Sequence, residues 1–301
     1  MKYDAYQMVT DRICAMLEQG IRPWVQPWAS AVSSAWSGSN GKPYSFLNQM
    51  LLADPKKKYN TLEELMDDVR GEWVTFNQAK DRGGCVRKGE TGRKVVFFKM
   101  IERPTGKLDD DGKEKMETIP FLQSYTVFKI SQCDGLTQKY HTNDAAMYDF
   151  TGDDAADAVA NDYIAREGIT FRAEKGDKAF YRPSEDLVVV PKPEQFKDAA
   201  EYYSTLYHEL THSTGHQKRL NRIKACAAFG KDEYSTEELV AEIGSASICA
   251  TLGIENNGSF TNSVSYIGNW LKALRNDKRM IVTAASRAEK AVRMILNVEE
   301  N

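Results

Sequence analysis

Three of the four histidines in this 301-residue chain lie within nine residues, and this cluster constrains the fold more than any other feature. They are His208, His212 and His216. His208 and His212 are four positions apart, so a helix carries both imidazoles on one face. With Glu209 they complete a His-Glu-x-x-His motif, in which the imidazoles bind Zn²⁺ and the glutamate takes a proton from attacking water. We therefore predict a helix over residues 200–215 that carries a zinc site.

A catalytic zinc ion needs a third protein ligand and an open position. Glu238 and Glu242 stand four residues apart on the next predicted helix, residues 236–252, and share one face of it. We predict that Glu238 is the third ligand and that Glu242 accepts the spare N–H of a liganding histidine, a gluzincin-like arrangement. Glu242 and His216 are the alternative ligands. A rival zinc-peptidase pattern is not met, because it needs its third histidine where Lys218 stands. The acidic run also fits a helix N-terminus that faces water.

Length and composition favour an ordinary globular protein of two domains. The chain is 42% apolar and 28% charged, with a net charge of −3. Its five cysteines are scattered without a CxxC pair, which predicts buried thiols and neither disulfides nor a cysteine-based zinc site. The sequence has no apolar run of 18 residues and no secretory signal, so we expect a cytoplasmic protein without a membrane partner.

The pattern of apolar residues predicts an α+β fold divided into two unlike halves. An α+β domain is expected over residues 1–135, a polar linker over 136–155 and a mainly helical domain with a small sheet over 156–301. In the second domain, residues 187–190 read as a strand. This strand either presents an edge beside the metal, to which an extended peptide can add, or lies in the core.

The first domain combines basic and aromatic residues, as binding of single-stranded DNA requires. Between residues 82 and 99 the one acidic side chain is Glu90. The basic residues that we predict to contact DNA phosphates are Arg82, Arg87, Lys88, Arg93 and Lys94. Tyr44 and Phe46, in a loop rich in Gly, Ser and Asn, are the predicted stacking platforms. The tryptophans expected in the core are Trp24, Trp28 and Trp73. Arg87 and Lys88 also fit a solvated turn before a glycine.

Both halves resemble the ArdC-type antirestriction proteins. In the second half the likeness lies in Gly176 to Tyr181, Tyr202-Tyr203, Leu206 to His212, Thr214-Gly215-His216, Arg219-Leu220 and Glu237 to Glu242. In the first half it lies in Pro23-Trp24, Pro27-Trp28, Tyr44, Asn48, Trp73 to Phe76, Gln78-Ala79, Gly83-Gly84 and Val86 to Gly89. The resemblance implies a domain that binds single-stranded DNA, followed by a zincin-like metallopeptidase domain. It also implies a mobile genetic element that spreads by conjugation and protects its entering DNA from restriction.

Two other functions remain open at this point. The chain fits an intracellular zinc metallopeptidase with a regulatory protein substrate, whose N-terminal half recognises protein. It also fits an interaction protein with a purely structural zinc ion. The basic run favours the DNA-binding alternative, and an open position on the zinc ion favours either enzyme over a structural site.

Overall fold

The computed structural model describes residues 4–24, 35–108, 112, 114–140, 153–223, 231–254 and 264–298, and Trp28 lies outside them. The fold is α+β, as predicted. The helices are α1 (Ala5–Glu18), α2 (Phe46–Leu52), α3 (Leu62–Val69), α4 (Phe76–Asp81), α5 (Asp153–Glu167), α6 (Ala199–Ser213), α7 (Lys231–Thr251), α8 (Val264–Asn276) and α9 (Met280–Leu296). The strands are β1 (Ala35–Ser37), β2 (Gly71–Thr75), β3 (Cys85–Val86), β4 (Arg93–Leu108), β5 (Glu114–Lys129), β6 (Cys133–Asp134), β7 (Thr170–Glu174), β8 (Phe180–Arg182) and β9 (Leu187–Pro191). Among these described helices, none is long and apolar enough to cross a membrane.

The N-terminal half is built on a four-stranded sheet in the order β1-β2-β5-β4. The β4–β5 hairpin has arms of 16 residues each, whereas β2 has 5 residues. At the base of the hairpin, Val95 and Val127 pack with Trp73 of β2 and Leu65 of α3 in one apolar cluster. The outer part of the hairpin extends past this cluster. Side chains such as Met116 and Phe121 are therefore exposed to solvent.

The C-terminal half contains a three-stranded sheet in the order β7-β9-β8. β9 pairs in parallel with β7 and antiparallel with β8, and Leu187, Val188, Val189 and Val190 are all buried. A continuous apolar run is expected for a strand that is covered on both faces. Of our two interpretations of residues 187–190, the core strand is therefore correct and the edge strand is wrong. The two edge positions belong to β7 and β8.

A close helix contact positions the histidine motif. α6 begins after Asp198, whose side chain accepts the backbone N–H of Glu201 at 2.9 Å as an N-cap. α6 then packs against α7. A Cβ at Gly244 of α7 would lie 2.6 Å from Cγ2 of Thr211 on α6, so only glycine permits this approach. The approach brings the acidic N-terminal part of α7 over the histidines of α6.

The two halves share one apolar core. Its largest cluster joins residues of α1, such as Val9, to residues of α9, such as Ala288. The backbone N–H of Phe46 also donates to the carboxylate of Glu289 at 3.2 Å, which ties α2 to α9. Each half therefore contributes to the stability of the other, although we predicted the boundary between them as a polar linker.

Candidate functional site

Two imidazoles and one carboxylate converge between α6 and α7. The Nε2 atoms of His208 and His212 lie 3.2 Å apart. Carboxylate oxygens of Glu238 lie 3.6 Å from Nε2 of His208 and 3.5 Å from Nε2 of His212. In a tetrahedral zinc site with bonds of about 2.0–2.1 Å, neighbouring ligand atoms lie about 3.3–3.5 Å from one another. These three side chains therefore fit a divalent ion such as zinc both in chemistry and in spacing.

Glu209 shares a cavity of about 350 Å³ with these three groups. Its side chain is buried, and this burial raises the pKa of its carboxyl group, while the neighbouring His212 and His208 act to lower it. The backbone of Tyr181 also acts to lower the pKa of Glu209. A carboxylate with a raised pKa is suited to take up and release a proton near neutral pH.

The strand β8 forms one wall of the same cavity, through Phe180 and Tyr181. β8 is one of the two outer strands of its sheet. An outer strand presents backbone N–H and C=O groups to which an extended peptide can add. The edge beside the converging ligands is therefore present, but the sequence interpretation placed it on the wrong strand.

A buried ion pair between Glu237 and Arg222 contacts the imidazole of His212 on its Nδ1 side. Oε1 of Glu237 lies 3.5 Å from Nδ1 of His212. Arg222 donates to both carboxylate oxygens of Glu237, at 2.9 and 3.1 Å, and to Oγ1 of Thr214 at 2.8 Å. Burial acts to lower the pKa of His212, but the carboxylates of Glu237 and Glu238 raise it to about 9. Glu237 thus orients the ring so that Nε2 faces the other two ligand atoms.

The prediction that Glu242 supports a liganding histidine is wrong. Its carboxylate accepts a hydrogen bond from Arg22 at 2.7 Å, because one turn along α7 from Glu238 the helix faces the N-terminal half. The alternative ligand His216 is buried away from the three converging groups, and its Nδ1 accepts the backbone N–H of Lys218 at 3.3 Å. The supporting carboxylate that we missed is Glu237, which immediately precedes the predicted ligand.

A second, larger cavity of about 940 Å³ lies on the N-terminal half, between the loop after β1, the start of α4, the base of the hairpin and α9. We call it the groove. Its lining exposes four aromatic rings, Phe76 at 57%, Phe97 at 51%, Phe98 at 41% and Tyr125 at 42%. Lys42, which is exposed, adds a positive charge at the same cavity. Exposed apolar side chains in one contiguous patch mark an interaction site.

Two of the predicted phosphate-binding residues are held in ion pairs within the fold. Arg93 donates to both carboxylate oxygens of Asp68, at 2.7 and 2.9 Å, and Arg82 pairs with the fully buried carboxylate of Glu72. Their own side chains are only 17% and 21% exposed. Both arginines therefore stabilise the N-terminal half, and neither offers a free guanidinium to DNA.

The other predicted basic residues are more accessible. Lys88 is exposed, and Arg87 is 41% exposed although it pairs with Glu90 at 2.9 Å. Nζ of Lys94 donates to Oγ1 of Thr126 at 2.7 Å in the hairpin. Arg87 and Lys88 stay our predicted phosphate contacts, because an exposed ion pair exchanges easily for a phosphate.

Of the two predicted stacking residues, one is buried in the core and the other lines the groove. Phe46 is 5% exposed as the first residue of α2, so its prediction as a stacking platform is wrong. Tyr44 is half-buried and lines the groove, and this burial raises its pKa to about 12. Trp24 and Trp73 are buried, which confirms their prediction as core residues.

Both halves match known protein families. Residues 3–128 match the N-terminal domain of anti-restriction factor ArdC, and residues 158–287 match the zincin-like metallopeptidases. The metal-free crystal structure of the antirestriction ArdC protein from plasmid R388 is 38% identical, with a TM-score of 0.68 over 99% of this chain and 100% of that one. The chain belongs to the ArdC family of antirestriction proteins. The resemblance seen in the sequence is thereby confirmed.

Other relatives of this ArdC-family protein fall into two groups by length. The Mn(II)-bound structure of the R388 protein is 37% identical, with a TM-score of 0.69 and 98% coverage of both chains. Protein y4eC of Sinorhizobium fredii is 34% identical over 296 residues, which is 95% of this chain and 89% of y4eC. A DNA primase TraC of Escherichia coli is 33% identical over 323 residues, all of this chain but 28% of the primase. The ArdC-family chain thus spans less than a third of that primase.

Proposed function

We propose that this ArdC-family antirestriction protein binds single-stranded DNA through its N-terminal half and holds a zinc ion at His208, His212 and Glu238. The observation that carries the metal proposal is the set of separations, 3.2 to 3.6 Å, between the three ligand atoms. The donor set of two imidazoles and one carboxylate is also one that zinc uses in hydrolytic sites.

The arrangement fits hydrolysis of a peptide bond. When bound, a zinc ion polarises a carbonyl group and lowers the pKa of water. Glu209, buried beside the ligands, accepts the proton of the attacking water on its carboxylate and returns it to the leaving nitrogen. β8 holds the substrate in an extended conformation, and Glu237 fixes the orientation of His212. The substrate class that these features favour is an extended peptide segment.

The groove supports the DNA proposal. Exposed aromatic rings give stacking platforms for bases, and each base–aromatic stack contributes about 1–3 kcal/mol. Lys42 at the groove supplies charge for phosphates, as do Arg87 and Lys88 elsewhere on the same half. Because stacking and phosphate neutralisation tolerate any sequence, we expect salt-sensitive binding with little sequence preference.

Titration of a labelled oligo-dT against the full chain tests the DNA proposal. Phe76→Ala removes the most exposed ring of the groove and should weaken binding by about 5-fold to 100-fold, the loss of one stack. Met116→Ala is the control, because Met116 is 50% exposed on the hairpin and lies outside the groove lining. Wild-type protein that fails to bind, or equal binding by both variants, contradicts the proposal.

A conjugation assay into restricting recipients separates the two activities. We propose that protection follows DNA binding, because accessible basic and aromatic groups offer a direct way to cover entering DNA. Glu209→Gln should therefore keep protection, whereas charge reversal at Arg87 and Lys88 should lose it. If Glu209→Gln loses protection while it binds zinc and DNA normally, hydrolysis is the mechanism and this part of the proposal fails.

A further inference from the structure

The pairing register of the long hairpin places several aromatic residues on one face. Tyr125 of β5 lies opposite Val95 of β4, and Phe121 of β5 lies opposite Lys99 of β4. Side chains of directly paired residues share a face, and so do residues two positions apart on one strand. Phe97 lies between Val95 and Lys99 at that spacing. Tyr125, Phe97 and Phe121 therefore form a row on one face of the hairpin, which we call the aromatic stripe.

The members of the stripe are open to solvent and regularly spaced. Tyr125 is 42% exposed, Phe97 is 51% exposed and Phe121 is 39% exposed. Each step along the stripe crosses to the other strand and advances by two residues, which separates neighbouring positions by about 7–8 Å. That separation is about twice the 3.4 Å rise per base in a duplex strand. The stripe thus fits an extended single strand with one base against each ring.

The charge around the stripe favours a polyanion over an apolar partner. The parts of the two arms that carry the stripe, residues 93–101 and 119–129, contain no acidic residue. Their charged residues are Arg93, Lys94, Lys99 and Lys129. Arg93 is paired with Asp68, and Nζ of Lys129 donates to the backbone carbonyl of Asp67, so the cation that serves the stripe is Lys99. Lys99 is exposed and stands directly opposite Phe121, so a phosphate next to a base on that ring meets a positive charge. Aromatic faces flanked by cations are the arrangement that single-stranded nucleic acid requires.

We propose that the aromatic stripe extends the DNA site beyond the groove, out along the hairpin. The single strand passes Phe76 at the groove, then Tyr125 and Phe97, and reaches Phe121. Tyr125 and Phe97 also line the groove, so the stripe is continuous with it, whereas Phe121 lies outside that lining. This inference rests on the proposed binding of single-stranded DNA, and Phe121 is the residue that distinguishes it.

Binding of oligo-dT to the full-length variant Phe121→Ala tests the stripe. Loss of one stack should weaken binding between about 5-fold and 100-fold. Met116→Ala is the matched control, since Met116 pairs with Pro104 on the opposite face of the same hairpin and is also exposed. Its affinity should equal that of the wild type. Both substitutions remove exposed side chains, so both proteins should keep the wild-type melting temperature.

A tryptophan probe gives a second and direct readout. Phe121→Trp keeps an aromatic face, so it should bind oligo-dT as tightly as the wild type, and its added fluorescence should be quenched by the stacked base. The fluorescence added by Met116→Trp should not change. Normal affinity of Phe121→Ala, or an unquenched Phe121→Trp, overturns the stripe while DNA binding itself stands. Failure of the wild type to bind any oligo-dT overturns the proposed function and the stripe together.

Discussion

Replacing Glu237 with glutamine should weaken metal binding without removing a ligand. The substitution keeps an oxygen that can face Nδ1 of His212 but removes the charge that favours this ring orientation. Loss of such a supporting carboxylate typically lowers metal affinity 10- to 100-fold. The side chains of His212 and Glu237 are 12% and 6% exposed, so water screens their interaction poorly. Their separation of 3.5 Å and the retained amide oxygen reduce the effect, so we expect a loss of about 10-fold, or about 1.4 kcal/mol.

Competition of the protein with a chromogenic zinc chelator measures this loss. The matched control is Glu242→Gln on the same helix, whose carboxylate pairs with Arg22. That control should keep wild-type zinc affinity and lower the melting temperature, because it weakens a buried ion pair. If Glu242→Gln loses zinc affinity and Glu237→Gln does not, our assignment of the supporting carboxylate is refuted.

Three further predictions concern the base, the core and an ion pair. Glu209→Gln should bind zinc within about 3-fold of the wild type and hydrolyse no peptide, because it removes a proton acceptor and no ligand. If this variant fails to bind zinc, Glu209 is a ligand and the prediction is wrong. Phe46→Ala should lower the free energy of unfolding by about 3–5 kcal/mol in denaturant titrations, since Phe46 is a core residue. A loss below about 1 kcal/mol, as expected for a surface residue, contradicts this prediction. Burial acts to raise the pKa of Asp68, but hydrogen bonds from Arg93 and Tyr59 hold it below its usual range. The stabilisation by this pair is complete above the ordinary aspartate pKa of about 3.9 and is lost as pH falls through the lower folded value. The stability difference between wild type and Asp68→Asn should therefore shrink at low pH, and a constant difference contradicts it.

Local sequence spacing predicts the ligand positions but not the groups that support them. His208 and His212 follow from the helix period alone. The third position follows from the acidic start of α7, and the geometry brings Glu238 to the two imidazoles. The same period makes Glu242 an equal candidate for a supporting role, because both glutamates share a face. Which end of that face meets α6 depends on tertiary packing that spacing cannot reveal.

On the N-terminal half, the composition indicates the kind of surface but not its residues. A high density of arginine predicts charge, yet Arg82 and Arg93 are consumed by Glu72 and Asp68, partners 10 and 25 residues away. An apolar strand pattern also predicts burial for Phe97. The ring is exposed because the hairpin extends past the elements that cover its base. How far the arms of the hairpin extend beyond the core depends on the other strands of the sheet, so the local pattern of β4 cannot predict it.

Anomalous diffraction at the zinc absorption edge, from crystals of the full chain grown with zinc, tests the metal site most directly. We predict one peak in the site, at about 2.0–2.2 Å from Nε2 of His208, Nε2 of His212 and a carboxylate oxygen of Glu238, with a further position open to solvent. A peak that is coordinated by His216 or Glu242, or crystals grown with excess zinc that show no peak between α6 and α7, would contradict the proposed metal site.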